Sequence, residues 1–318
     1  MQKILLLSTR ADDYASLIKA ANLSALGEIT FQPAEDCEIV FGEPNLIRDA
    51  LPSLPHLKWA QSTWAGVELL VGPAARCDYV LTNARGVYGG LISEFVFGYL
   101  LAHERRIFQR VEAQKNKIWD DSVTGRLQGK TIGLIGVGSI GAELARTAKF
   151  FGMDVWGYTR GSETSKYVDR YFHPLESDNK LPAQQQAFNP HTFASGLDYL
   201  VCVLPTTTDT RKIVNAELLR SLPSHALFIN VGRGQAVDES ALAEVLTQNI
   251  IAGAILDVFE QEPLPKEHPF WTIPNLLMTF HTSGPSFPED IAKIFFENYY
   301  LYIEGKPLKH QVDFKRGY

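Results

Sequence analysis

The chain has 318 residues, with 30 lysines and arginines against 36 aspartates and glutamates, a net charge of −6, 45% hydrophobic and 21% charged residues. These are the proportions of a globular protein with room for two compact domains or one large one, and they exclude a collagen-like, disordered or disulfide-stapled chain. No run of lysines or arginines is present, so neither nucleic acid nor membrane is expected as the main partner, because both demand a concentrated basic surface.

In chain order, the opening MQKILLLSTR is apolar for too short a stretch to form a signal peptide or a membrane span, and a cytoplasmic address is expected. Ile4–Leu7 reads as a buried strand, followed by a helix start near Asp12 and Asp13. Further strands are predicted at Ile39–Phe41, at Leu57–Trp59 leading into the turn-like Thr63–Gly66, and at Val80–Leu81. Short strands alternating with helical stretches imply a parallel, doubly wound sheet over residues 1–98. From Ser93 to about Lys117 one long amphipathic helix is expected, a candidate bridge between domains. A second βα array follows, with strands at Thr131–Ile135, Val155–Tyr158, Tyr199–Leu204, Ala226–Val231, Ile251–Asp257 and Leu276–Thr279. Glu289–Ile303 reads as a final helix before a polar tail. Cys37, Cys77 and Cys202 are far apart and form no CxxC pair, which suggests free thiols in a reducing compartment. His56, His103, His173, His191, His225, His268 and His310 lack metal-ligand spacing and are read as structural or surface residues; no metal is expected.

The first motif that carries chemistry is Gly136-x-Gly138-x-x-Gly141, directly after the strand Thr131–Ile135 and at the start of the helix Ser139–Phe150. Gly136 permits the tight turn, Gly138 lets the backbone approach a pyrophosphate, and Gly141 lets helix and strand pack closely. The N–H groups at the helix start, among them those of Ser139 and Ile140, would hold the diphosphate of a dinucleotide. At the end of the next strand, where NAD enzymes usually carry an acid for the ribose 2′-hydroxyl, stand Thr159 and Arg160. An arginine pairs with a 2′-phosphate and a carboxylate repels it, so NADP(H) is favoured, with NAD(H) possible. The alternative is that Arg160 is a solvated surface charge and that Glu163 or a backbone group serves the ribose.

Hydride transfer to a 2-oxo acid needs a cation for the carboxylate, a proton donor for the carbonyl oxygen and a group that tunes the donor. Arg233 in VGRG, Glu262 in DVFEQEPLP and His281 in TFHTSG each follow a predicted strand, where open α/β sheets bind ligands. Arginine offers a permanent charge and a planar fork. A carboxylate beside an imidazole stabilises its protonated form, which suits proton donation during reduction.

From Gly129 to Gly284 the Gly-rich turn, LPTTTDT, INVGRG, DVFEQEPLP and PNLLMTFHTSG occur in one order. In this the chain resembles the D-isomer-specific 2-hydroxyacid dehydrogenases, nearest to the glyoxylate/hydroxypyruvate reductase-like branch. The resemblance implies an α/β protein of two doubly wound parallel-sheet domains. A Rossmann cofactor domain, 99–283, would be inserted into a flavodoxin-like substrate domain, 1–98 and 284–318, with the active site in the cleft and hinge closure excluding water. It implies that His281 is the general acid/base, held by Glu262, and that Arg233 binds the substrate carboxylate. Thr206–Thr208 would pass along the cofactor ribose, with Leu204, Pro205 and Thr210 as further cofactor contacts. Val231, Gly232, Arg233, His281 and Ser283 would add cofactor contacts, and Asp257 would contact the nicotinamide carboxamide, with turn capping as the other reading. In the first domain Trp64, Ala65 and Gly66 match the segment whose N–H groups receive the substrate carboxylate. Tyr88 would line the pocket or simply pack in the core. The chain departs from the family pattern at Trp64, where glycine is usual, at Phe280, where proline is usual, and at Thr282-Ser283; these departures bear on substrate identity.

The resemblance also implies a homodimer joined through the cofactor domains. Phosphoglycerate-type enzymes are disfavoured because nothing of domain size follows Tyr318. Formate oxidation is disfavoured because Glu262 stands where that branch carries a glutamine-containing site. A dinucleotide-sensing binding protein without turnover is the competing class, since a fold alone does not specify catalysis.

Overall fold

The structure is a computed structural model; it describes all residues except 1, 24–25, 73, 161–162, 175–185, 188 and 318. The chain divides into two compact units, one of Met1–Val87 with Pro285–Tyr318 and one of Tyr88–Gly284.

The first unit is a five-stranded sheet of β1 (Gln2–Leu7), β2 (Leu26–Thr30), β3 (Ile39–Gly42), β4 (Trp59–Ser62) and β5 (Val80–Thr82), in the order β2-β1-β3-β4-β5. All its pairings are parallel. The order is that of a flavodoxin-like doubly wound sheet. Because both faces are covered, β1 and β3 carry the apolar runs Ile4–Leu7 and Ile39–Phe41, and every residue of β3 and β4 is buried. On one face Leu5, Val40 and Ala60 pack with Ile47 and Leu54. On the other, Phe41 and Trp59 stack on Phe295 of the helix Pro288–Ile303, with ring centroids 4.4 and 5.3 Å apart.

The second unit is an eight-stranded sheet of β6 (Thr131–Ile135), β7 (Asp154–Tyr158), β8 (Arg170–His173), β9 (Gln186–Ala187), β10 (Tyr199–Cys202), β11 (Leu227–Asn230), β12 (Gly253–Leu256) and β13 (Leu276–Met278). Its order is β13-β12-β11-β10-β6-β7-β8-β9, parallel throughout. The chain reverses its direction of travel between β6 and β10, the switch point at which dinucleotides bind in a Rossmann sheet. Ile135, Phe172, Leu200, Phe228 and Leu256 anchor one continuous core.

The expected single helix from Ser93 to Lys117 is two helices, Tyr88–Glu104 and Ile107–Lys115. The break has a local cause. Arg106 adopts a left-handed conformation at φ 53°. Glu104, only 5% exposed, is tied down by Lys130 Nζ at 2.6 Å and by the Tyr199 hydroxyl. The first of these helices begins at Tyr88, so residue 98, the expected domain boundary, falls inside it, and the first unit closes at Val87.

Candidate active site

A parallel sheet brings the C-terminal ends of all its strands to one edge, and the second unit places most of the chemistry-bearing residues there. At the end of β6, Gly136 takes φ +106°, which glycine alone adopts without strain. A Cβ on Gly141 would stand 2.1 Å from the Gly136 carbonyl oxygen, whereas one on Gly138 would meet open space. The helix Ser139–Phe150 has no side-chain cap and no acid in its first turn, so its leading N–H groups face outward without an internal partner. A tight turn, an open approach and an uncapped, positively polarised helix end together suit the diphosphate of a dinucleotide.

At the end of β7, the Thr159 N–H is spent on the Phe172 carbonyl at 3.0 Å. Arg160 is half-exposed, and its Nη1 donates to Asp209 Oδ2 at 2.7 Å. Glu163, the alternative ribose partner, is engaged with His173 Nε2 at 2.8 Å.

The Arg233 turn leaves β11 through a built clamp. Asn230, fully buried, accepts from the Gly232 N–H at 3.1 Å and donates to the Arg233 carbonyl at 3.0 Å. The flanking glycines are demanded by close neighbours: a Cβ on Gly232 would stand 2.8 Å from the Leu204 backbone, and one on Gly234 would stand 1.8 Å from the Phe259 carbonyl carbon. The guanidinium itself turns back to the Gly232 carbonyl at 2.9 Å.

Glu262 and His281 meet. His281 Nδ1 lies 2.7 Å from Glu262 Oε2, and Glu262 Oε1 accepts the Phe259 N–H at 2.9 Å. The His281 side chain is 55% exposed. Its backbone is left-handed at φ 57°, held by its N–H on the Asp257 carbonyl at 2.7 Å. With Nδ1 occupied by the carboxylate, Nε2 is the nitrogen left for a reacting oxygen.

Asp257 is fully buried and both carboxylate oxygens are in use. Oδ1 accepts from the Thr279 hydroxyl at 2.6 Å and the Thr282 N–H at 2.8 Å, and Oδ2 accepts from the Ser283 N–H at 2.9 Å. Burial pushes its pKa up, but the hydrogen bonds from Ser283, Thr279 and Thr282 outweigh burial and hold it below the usual carboxylate range. The residue caps the turn that carries His281.

The loop after β10 is stapled by Thr210. That hydroxyl, buried, donates to the Pro205 carbonyl at 2.7 Å and accepts the Thr207 N–H at 2.8 Å, an internal role. Thr206 Oγ1 reaches Gln235 Oε1 at 3.1 Å, and Gln235 Nε2 donates to the Glu260 carbonyl at 3.1 Å. Gln235 thus ties the expected ribose loop to the loop of the acid. Val231 is buried, with its N–H on the Cys202 carbonyl. Sequence reasoning missed Asn230, Gln235 and Asp209 as parts of this arrangement, although each lies inside or beside a quoted motif; their signal was a polar residue at a strand end or in a glycine turn.

Trp64, Ala65 and Gly66 belong to the first unit, beyond the end of β4. Ser62 Oγ accepts the Trp64 N–H at 3.0 Å and donates to its carbonyl at 2.9 Å, while Asn83 Nδ2 donates to the Ala65 carbonyl at 2.8 Å. Tyr88 is buried in the second unit, where a Cβ on Gly284 would stand 3.2 Å from its ring; its surroundings are those of a packed residue. Among the described residues no helix is long and apolar enough to cross a membrane.

A family model described as the NAD-binding domain of the D-isomer-specific 2-hydroxyacid dehydrogenases matches residues 97–283. The chain is similar to a D-isomer-specific 2-hydroxyacid dehydrogenase family protein from Aeromonas salmonicida, at 38% identity and TM-score 0.87 over 98% of this chain and 99% of that one. It is similar to a D-isomer-specific 2-hydroxyacid dehydrogenase from Xanthobacter autotrophicus solved with NADPH and MES, at 31% identity and TM-score 0.84 over 99% of each chain. It is also similar to an NADPH-dependent glyoxylate/hydroxypyruvate reductase from Sinorhizobium meliloti solved with NADP and sulfate, at 25% identity and TM-score 0.82 over 100% of each chain.

Proposed function

The chain belongs to the D-isomer-specific 2-hydroxyacid dehydrogenase family and is an NAD(P)-dependent oxidoreductase; from that premise we propose that it reduces short 2-oxo acids, glyoxylate and hydroxypyruvate among them, using NADPH. The observation that carries the reading is the 2.7 Å Glu262–His281 contact, on the same strand-end edge as the Arg233 turn and the Gly-rich turn. Arg233 would hold the substrate carboxylate and polarise the neighbouring carbonyl. When bound, the nicotinamide supplies the hydride that adds to the carbonyl carbon. His281 Nε2 gives its proton to the carbonyl oxygen, Glu262 stabilises the charged imidazole beforehand, and solvent restores the proton to the exposed ring. Asn230 and Asp257 hold the two turns in place.

NADPH is favoured over NADH because Thr159 and Arg160 stand where an acid would serve a ribose hydroxyl, because Glu163 is already engaged by His173, and because two relatives were solved with the phosphorylated cofactor. A homodimer is part of the reading: Phe108, Val111, Ile118, Trp119 and Val123 expose large apolar side chains within one stretch of the second unit, with Trp119 91% exposed. A monomer at micromolar concentration in sedimentation would remove that part. Three free cysteines suit a reducing compartment such as the cytoplasm.

The test follows absorbance loss of NADPH and NADH in parallel with glyoxylate, hydroxypyruvate and pyruvate. NADPH oxidation well ahead of NADH supports the reading, and the reverse preference discards its cofactor. Cofactor binding without turnover on any of the acids would leave a dinucleotide-binding protein.

A further inference from the structure

We propose that Asp209 is a cofactor-selecting residue whose carboxylate competes with a ribose 2′-phosphate for Arg160, so that the chain discriminates less strongly for the phosphorylated dinucleotide than Arg160 alone would dictate. The inference rests on the NADP(H) reading of Arg160 and goes beyond it.

In the sheet, β7 and β10 are the two neighbours of β6. The segments that follow them, one carrying Arg160 and the other Asp209, therefore flank the Gly136–Gly138 turn. Their side chains meet across it at 2.7 Å. The arginine side chain is 46% exposed and the aspartate 68%, so the pair is open to exchange. Asp209 is not on a wandering tip, because the adjacent Thr210, only 4% exposed, pins the base of its loop through the Pro205 carbonyl and the Thr207 N–H. Glu163, the nearest described acid after Arg160, is taken by His173.

The chemistry then separates the two cofactors. A 2′-phosphate must displace the carboxylate from Arg160 and remain near a like charge. A 2′-hydroxyl is neutral, pays neither cost and is itself able to donate to a carboxylate. Asp209 thus penalises NADPH and spares NADH.

Calorimetric titration of the full chain with NADPH, NADH and the fragments 2′,5′-ADP and 5′-AMP tests this in wild type, Asp209→Asn and Arg160→Gln. Asp209→Asn is expected to tighten NADPH and 2′,5′-ADP by roughly two- to fivefold, the range of an exposed ion pair, with NADH and 5′-AMP unmoved or slightly weakened. If Arg160→Gln weakens NADPH while Asp209→Asn changes nothing, or changes both cofactors equally, the selector role is overturned and the NADP(H) reading stands. If Arg160→Gln leaves NADPH affinity intact, the NADP(H) reading fails and takes the inference with it.

Discussion

Replacing Gly234 by alanine tests whether the Arg233 turn and the Glu262 loop form one mechanical unit. The new Cβ would stand 1.8 Å from the Phe259 carbonyl carbon, 2.0 Å from its oxygen and 2.3 Å from the Glu260 nitrogen. All three are backbone atoms, so no rotamer change relieves the clash. Restoring ordinary carbon contact requires that peptide to retreat by roughly 1.5 Å. The Phe259 N–H is the group that holds Glu262 Oε1, so the displacement passes directly to the partner of His281. A misplacement of about 1 Å near a reacting centre costs roughly 100-fold in rate, and overpacking costs about 1–3 kcal/mol of stability. Gly234→Ala is therefore expected to lower kcat/KM with glyoxylate and NADPH by about 100-fold. Its Tm should fall by roughly 2–10 °C. Gly98→Ala, an exposed helical site with nothing within 4 Å of the new Cβ, is the control and should gain roughly 0.5–1 kcal/mol with activity unchanged. A Gly234→Ala enzyme with wild-type kcat/KM would refute the coupling, even with a lowered Tm, because the clash would then have been relieved away from Glu262.

Arg233→Ala should lower kcat/KM for any 2-oxo acid by about 2–5 kcal/mol in transition-state terms, and unchanged kinetics would end its assignment to the carboxylate. Glu262→Gln removes the carboxylate that holds His281 Nδ1 at 2.7 Å and should lower kcat/KM for any 2-oxo acid by roughly 100-fold or more; unchanged kinetics would remove its role beside His281. Asp257→Asn should cost about 1–3 kcal/mol at neutral pH by leaving a buried N–H without an acceptor. Because the folded pKa of Asp257 is depressed, that advantage over Asn is full above the ordinary carboxylate range and is lost as pH falls through the lowered value. Urea midpoints of the two proteins should therefore converge only below about pH 4, and a gap constant down to pH 2 would contradict the account.

The apolar runs at Ile4–Leu7, Ile39–Phe41 and Ile251–Asp257 were legible because strands buried on both faces leave a continuous hydrophobic signature. β2, with the sequence LGEIT, the strand RYFH and the edge strand Gln186–Ala187 were not, since short and partly polar segments show neither a run nor an alternation. The break at Arg106 was hidden because a left-handed residue between two helical patterns leaves no mark when it is not glycine. In the candidate site, the pairing of Glu262 with His281 followed from motif order. The inward use of Asp257 and Thr210 did not, because a sequence names a polar residue without saying whether it faces a ligand or its own loop. Asn230 and Gln235 went unnoticed for the same reason: their work is to hold backbone, and only the folded turn shows which backbone.

The discontinuity of the first unit shapes how the chain comes off the ribosome. Phe41 and Trp59 on one face of its sheet find their cover in Phe295, on a helix that is made only after the whole of Tyr88–Gly284. At roughly 5–20 residues per second, translation needs about 10–40 s to cross that insert. During this interval the amino-terminal strands wait with that aromatic face only partly covered, by Tyr14 against Phe41, while the inserted sheet has all its own strands and can close first. Synthesis therefore passes through a half-built state with a finished second unit beside an unfinished first one, and the aromatic surface left open in that interval is where nascent-chain binding or misassembly would concentrate.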